Sequence, residues 1–235
     1  MIKRLSIDSI LCSTATRRQD LRAAFQLIYA RYLASGLTRI NPTRMRIAEY
    51  QLGEQCEIIV AKHNDRVIGT ISLAGETSNR LPLERIFPTT LSEMRRRDLK
   101  LMEIGCLAVD QESVGVASLA FAALTREAII RARERGCGRM VAAVHPRHGR
   151  FYERSMGFSR LSDPVGYDSV QGHLAVCVAG DPADPIAYKA PWKELFFEKR
   201  REPQPARLCL MSRIEHKYFV NLMLIAQTLP SVRAA

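Results

Sequence analysis

The stretch Val141–Phe158, VAAVHPRHGRFYERSMGF, constrains the fold more than any other part of the chain. Val141–Val144 reads as a buried strand that stops before Pro146, and a short basic helix then runs to Met156 and closes at Gly157-Phe158. A strand ending there delivers His145, His148 and Tyr152 to the carboxyl edge of a sheet, where ligands bind in α/β folds. His148 and Tyr152, four residues apart, are expected to share a helix face.

The rest of the chain supplies the partners of this unit. Leu101–Val109 is an apolar strand interrupted by one charge, Glu103. From Val114 a helix of about twenty residues is expected, ending at the C-cap signal of Gly136. Glu57–Lys62 and Val67–Leu73 flank His63-Asn64-Asp65-Arg66 and predict a hairpin. Residues 3–12 predict a first strand. Thr16 with Gln19 is a capping-box signal for a helix carrying Leu21, Phe25, Ile28 and Tyr32 and stopping at Gly36. Residues 37–54, with Pro42 and three arginines, have no clean period. Leu81–Phe87 is a short connection ended by Pro88. A second capping box, Thr90-Leu91-Ser92-Glu93, starts a helix bearing Arg95, Arg96 and Arg97, with Lys100 just beyond. Leu174–Ala179 predicts a final strand. This order makes one mixed α/β sheet flanked by helices over residues 1–180. Residues 181–235 read as a Pro-rich basic linker (Pro182, Pro185, Pro191, Pro203 and Pro205, with Lys199-Arg200-Arg201) followed by a helix over His216–Leu229.

Composition narrows the function classes. The 35 Lys+Arg against 24 Asp+Glu leave a formal charge of +11, which favours an anionic partner without choosing one. Nucleic acid is disfavoured, because the basic runs lack interleaved aromatics and no helix-turn-helix frame is visible. No apolar run approaches the length of a membrane span and no signal-peptide core follows the start, so the expected location is the cytoplasm, with peripheral membrane contact left open. The six cysteines form no CxxC pair, which argues against zinc and a disulfide framework and for a reducing compartment.

Several residues stand out chemically. Glu103 is a carboxylate in an apolar strand, and desolvation raises such a group toward the range of a general base. The bland alternative is a solvent-facing Glu paired with Lys100. Tyr152 and His148 can supply or relay protons, or simply pack a ring and cap a helix. His145 and His148 have no third ligand at metal spacing, so no metal is expected. The Asp110–Val116 loop precedes a helix N-terminus, as anion sites do, but has one glycine and two acids.

Taken together, Val67–Leu73, Glu103–Val109, His145–Tyr152 and Met156-Gly157-Phe158 resemble the GNAT acyltransferase superfamily. More closely, they resemble the long-chain N-acyl amino acid synthases, relatives of the acyl-homoserine lactone (autoinducer) synthases. Tyr29-Ala30-Arg31-Tyr32 before Gly36-Leu37 and the insert Leu81-Pro82-Leu83-Glu84 agree, and the resemblance covers residues 3–180. It implies transfer of a fatty acyl group from an acyl carrier protein thioester to the amine of an amino acid, with no tightly bound cofactor and an acyl thioester (carrier-bound or coenzyme A) as co-substrate. Glu103 would then be the base, Tyr152 the acid for the leaving thiolate, and His148 and Arg147 would position substrate or the phosphopantetheine arm. Cys106, Leu107 and Val109, with His145, would line the substrate site, the strand amides holding the thioester carbonyl. Arg95, Arg96, Arg97 and Lys100 would face the acidic carrier. Related synthases commonly carry Ser or Thr and then Arg where this chain has Gly105 and Cys106. The alternatives are an acetyl-coenzyme A-dependent GNAT N-acetyltransferase, an acyl-homoserine-lactone-type synthase and, more distantly, a non-catalytic basic binding module.

Overall fold

A computed structural model describes residues 6–78, 80–97, 99–113, 115–197 and 210–228. Lys199–Arg201 and Cys209 lie outside them. The first helix, α1 (Arg18–Ala34), buries Leu21, Phe25 and Ile28. It stops at Gly36, whose φ of 71° a side chain would strain. Gly36 N–H donates to Leu33 O and Leu37 N–H to Tyr32 O, the paired bonds of a Schellman end. Its start departs from expectation: Arg17 is the N-cap and makes no side-chain bond, so the Thr16/Gln19 box does not form. The first strand is also later and shorter. Ile7–Ser9 is a 3-10 turn held by Asp8 N–H to Ser6 Oγ and Ser9 Oγ to Ser6 O, and β1 is Leu11–Thr14.

The hairpin of β2 (Cys56–His63) and β3 (Arg66–Gly75) turns through Asn64 and Asp65, whose φ values of 49° and 61° are those of a type I′ turn. Helix α2 (Pro88–Arg95) begins with Pro88 in its first turn and Phe87 as N-cap; Pro88 opens the helix rather than ending what precedes it, and the Thr90 box is not used. Then come β4 (Leu101–Val109), α3 (Ala117–Glu134), β5 (Arg139–Val144), α4 (Pro146–Ser155), β6 (Ser159–Arg160), β7 (Val165–Tyr167) and β8 (His173–Gly180). The strand order is β1-β2-β3-β4-β5-β8-β6, with β7 also pairing β8, and every pairing is antiparallel except β4 with β5.

Two layers of side chains flank the sheet. On one face Met102, Ile104, Met140, Val176 and Val178 meet Leu124 and Ile129 of α3 and Tyr152 of α4. On the other, two separate clusters form. Cys106, Ala108, Ile58 and Val60 meet α1, and Leu101, Val141 and Cys177 meet Leu83, Phe87 and Leu91. The extension adds to both faces: Phe196 of α5 (Trp192–Phe197) is buried on the α3 side, and Phe219 of α6 (Arg213–Thr228) is buried beside Phe25 at 5.0 Å between ring centres. The Glu57 carboxylate is fully buried and bonds Arg131, Arg135 and Thr14, tying α3 to the β1–β2 edge.

One irregularity opens the sheet. Strands β4 and β5 pair only at Leu101 with Arg139, Met102 with Met140 and Glu103 with Val141. Beyond that, β4 bulges against β3 at Cys106, which has a φ of 49°, while β5 stays with β8. The two strands separate at their carboxyl ends.

Candidate active site

Glu103 stands where the separation starts. The alternation of β4 turns it toward the seam between the α1 and α2 clusters, and it is only 4% exposed. Its Oε2 accepts a 2.8 Å hydrogen bond from Leu83 N–H. Burial raises its pKa to about 8, against the opposing effect of that amide. It has no lysine partner among the described residues. Lys100 donates instead to Arg135 O at 2.7 Å, so the solvent-facing, Lys100-paired alternative does not describe it.

Beside Glu103 lies a group of residues that the sequence pattern did not single out. Tyr50 Oη is 3.2 Å from Cys106 Sγ, and Arg46 Nη1 is 3.5 Å from the same sulfur. A Cβ on Gly105 would come within 2.6 Å of Tyr50 Oη and 3.8 Å of Glu103 Oε1, so the glycine makes room for the phenol next to the carboxyl. Tyr50 is set by its neighbour Gln51, which is fully buried; its Oε1 accepts from Ala48 N–H at 2.8 Å and its Nε2 donates to Ser72 Oγ at 2.9 Å. Ser72 is the β3 partner of Gly105. Arg46 lies 4.4 Å over the Tyr32 ring and donates to Ser169 O at 2.9 Å, reaching the β7–β8 connection. Burial first, then the neighbouring Cys106, lifts the pKa of both Tyr32 and Tyr50 well above the phenol range, and burial also raises Tyr167. These phenols stay neutral, and Arg46 is the cation of the group. The signal for them was weak because residues 37–54 form a coil and a 3-10 turn (Glu49–Leu52) without period.

On α4 the roles divide differently from the sequence expectation. His145 is the N-cap, its Nδ1 accepting from Arg147 N–H at 3.2 Å, so capping falls to His145 and not to His148. The rings of His145 and His148 are 6.1 Å apart. His148 is exposed, and partial burial together with His145 and Arg147 lowers its pKa. Tyr152 instead turns inward with Gly149, so spacing of four does not give the two residues a common environment. Its ring packs edge-on to Phe158 at 5.4 Å, and burial pushes its hydroxyl to about 12. Leu107 and Val109 send their side chains into the α3 layer, leaving backbone amides as what they can offer the cleft.

The basic run is also divided. Arg95 is drawn inward by Glu76 at 2.6 Å and Glu84 at 2.5 Å, whereas Arg96 and Arg97 are exposed. In the β4–α3 loop, Asp110 accepts from Glu112 N–H, Ser113 Oγ and Arg66. The loop's acid thus holds the loop itself.

The family profile described as N-acyl amino acid synthase FeeM matches residues 23–181. The chain belongs to the FeeM family. The structure of FeeM, an N-acyl amino acid synthase from uncultured soil microbes, superposes with a TM-score of 0.68 at 20% identity, covering 76% of this chain and 94% of FeeM. The acyl-homoserine lactone synthase LasI gives 0.56 at 16% identity over 83% and 98% of the two chains. The CoA-dependent acyl-homoserine lactone synthase BjaI, solved with MTA, gives 0.56 at 14% over 91% and 98%. No curated protein sequence matches the chain. The FeeM-family assignment makes the protein an N-acyltransferase, and the expected mixed α/β acyltransferase fold is the one observed.

Proposed function

We propose that this FeeM-family enzyme moves a long-chain fatty acyl group from an acyl carrier protein thioester to the amine of an amino acid. The observation that carries the reading is Glu103, a buried carboxyl raised to about 8 at the point where β4 and β5 part. A base of that strength removes a proton from an ammonium near neutral pH, directly or through one water. The freed amine attacks the thioester carbonyl; the negative charge that develops on oxygen is met by strand amides of Leu107–Val109. Collapse of the tetrahedral intermediate breaks the C–S bond; Tyr152 gives the departing thiolate its proton, and its phenolate takes the second proton from the nitrogen that becomes the amide. His148 and Arg147, exposed on the first turn of α4, guide the phosphopantetheine arm. Arg96, Arg97 and Lys100, all exposed, provide the positive surface for an acidic carrier, in keeping with the +11 charge.

Coenzyme A is the second donor to consider, since BjaI is CoA-dependent. The β4–α3 loop argues against it, because Glu112 is exposed near the start of α3 and Asp110 already takes up the Glu112 N–H and the Ser113 hydroxyl, donors a pyrophosphate would need. Expression in a bacterium followed by mass spectrometry of lipid extracts tests the proposal. N-acyl amino acids should accumulate with the wild-type protein and not with Glu103→Ala. Extracts without any new acyl amine would refute it.

A further inference from the structure

Several arginines drawn into this protein meet a carboxylate. Arg131 and Arg135 meet Glu57, Arg95 meets Glu76 and Glu84, and Arg139 meets Asp181. Arg46 does not: among the described residues no Asp or Glu oxygen lies within ion-pair distance of it, although it is half-buried. A cation removed from water without a counter-ion is costly unless a ligand supplies one. The guanidinium is nonetheless firmly placed, by Ser169 O at 2.9 Å, Cys106 Sγ at 3.5 Å and the face of Tyr32 at 4.4 Å. Those two hydrogen bonds use two of its five N–H donors. The remainder keep the planar fork that fits a carboxylate.

The position of this cation matters as much as its lack of a partner. Arg46 and Tyr50 share the sulfur of Cys106, and Tyr50 shares with Glu103 the space above Gly105. An acid and a guanidinium thus stand at the two ends of one contact chain, with the Tyr50 phenol and the Cys106 thiol between. An α-amino acid carries the complementary pair, an ammonium and a carboxylate separated by one carbon. With its ammonium at Glu103, such a molecule would direct its carboxylate along this chain, toward Cys106 and Arg46.

We propose that Arg46 is the residue that recognises the α-carboxylate of the acceptor, so that the enzyme selects amino acids over simple amines. The inference rests on the acyl-transfer reading above and adds a specificity residue to it. In it Arg46 binds substrate, and Tyr50 and Ser169 position the guanidinium.

The test compares each amino acid that the purified enzyme acylates with the matching amino acid amide, an acceptor of nearly equal shape without the charge. Wild-type enzyme should favour the acid by roughly 10- to 100-fold in kcat/KM, chiefly through KM, the range expected for a hydrogen-bonded charged group. Arg46→Gln should bring acid and amide within a few-fold of each other, and Arg46→Lys should recover part of the preference. A wild-type enzyme that uses the amide as readily as the acid overturns the inference without any variant. So does an Arg46→Gln enzyme that loses activity equally on both acceptors, which is the result of a purely structural clasp to Ser169. Acylation of no amino acid at all would instead remove the reading beneath it, and the inference with it.

Discussion

Glu103 and Val141 are the last residues at which β4 and β5 pair, and the acid of the site is therefore also the hinge point of the split in the sheet. Above that pair the β4 bulge at Cys106 turns one strand toward α1 while β5 continues with β8. A carboxyl at this place is shielded by the α1 and α2 clusters yet adjoins unpaired strand. The 4% exposure of Glu103 is thus compatible with the role proposed for it.

The same burial fixes how stability depends on pH. Glu103 titrates near 4.5 when unfolded and about 8 when folded, so between those values the folded state holds the extra proton. Its contribution is greatest below pH 4.5 and is lost as pH rises through 8. Glu103→Gln keeps the shape without the charge, and its Tm should exceed that of wild type at pH 8.5 and approach it at pH 5. Thermal melts of both proteins across this range check the sign; a variant less stable than wild type at pH 8.5 contradicts it.

Tyr152 has its ring in the core and its hydroxyl held protonated, with a pKa pushed to about 12 by burial. Tyr152→Phe preserves the edge-on contact with Phe158 and should leave Tm within a degree or two. The turnover number should fall by roughly 10²-fold if the hydroxyl protonates the leaving thiolate. Single-turnover rates with a carrier thioester separate this from a binding defect, and an unchanged rate assigns the tyrosine to packing alone.

The three consecutive arginines should behave differently. Arg96→Glu with Arg97→Glu should raise KM for an acyl carrier protein at least tenfold at low salt while leaving a small acyl-pantetheine donor unaffected. Arg95→Ala should instead lower Tm, because it releases both Glu76 and Glu84. Titrations at two salt concentrations give the first result, calorimetry the second.

Glu57→Gln should be among the most damaging substitutions distant from the site. It leaves Arg131 and Arg135 facing a neutral group in a buried network, and breaking such a pair costs about 3–5 kcal/mol. Arg66→Ala, which removes a largely exposed partner of Asp110, should cost less than about 1 kcal/mol. Urea unfolding of the two variants compares them directly.

Periodicity made most of the scaffold legible. The nine residues of β4, the hairpin turn at Asn64-Asp65 and the glycine stops of α1 and α3 stand where the pattern places them, because alternation, positive φ and left-handed caps leave local marks. Helix starts were less readable: Arg17 and Phe87 are N-caps without side-chain bonds, set by the packing of the helices they precede. The two-residue β6 and three-residue β7 are too short to carry a period. In the site, Glu103 and Tyr152 were visible from an odd charge in an apolar strand and from a strand-to-helix junction. Arg46 and Tyr50 were not, because they come from irregular chain. The burial of Gln51 brings Tyr50 beside the carboxylate, and the bulge at Cys106 brings its sulfur to Tyr50 and Arg46.

The central claim is most directly tested by incubating the purified protein with a long-chain acyl carrier protein and each of the common amino acids, followed by mass spectrometry of the products. The account predicts an N-acyl amino acid with wild-type enzyme, formed at a rate that rises with pH toward a midpoint near 8. With Glu103→Gln the rate should fall at least 10²-fold and lose that rise. A wild-type protein that leaves every amino acid unacylated, or a Glu103→Gln protein as active as wild type, would contradict it.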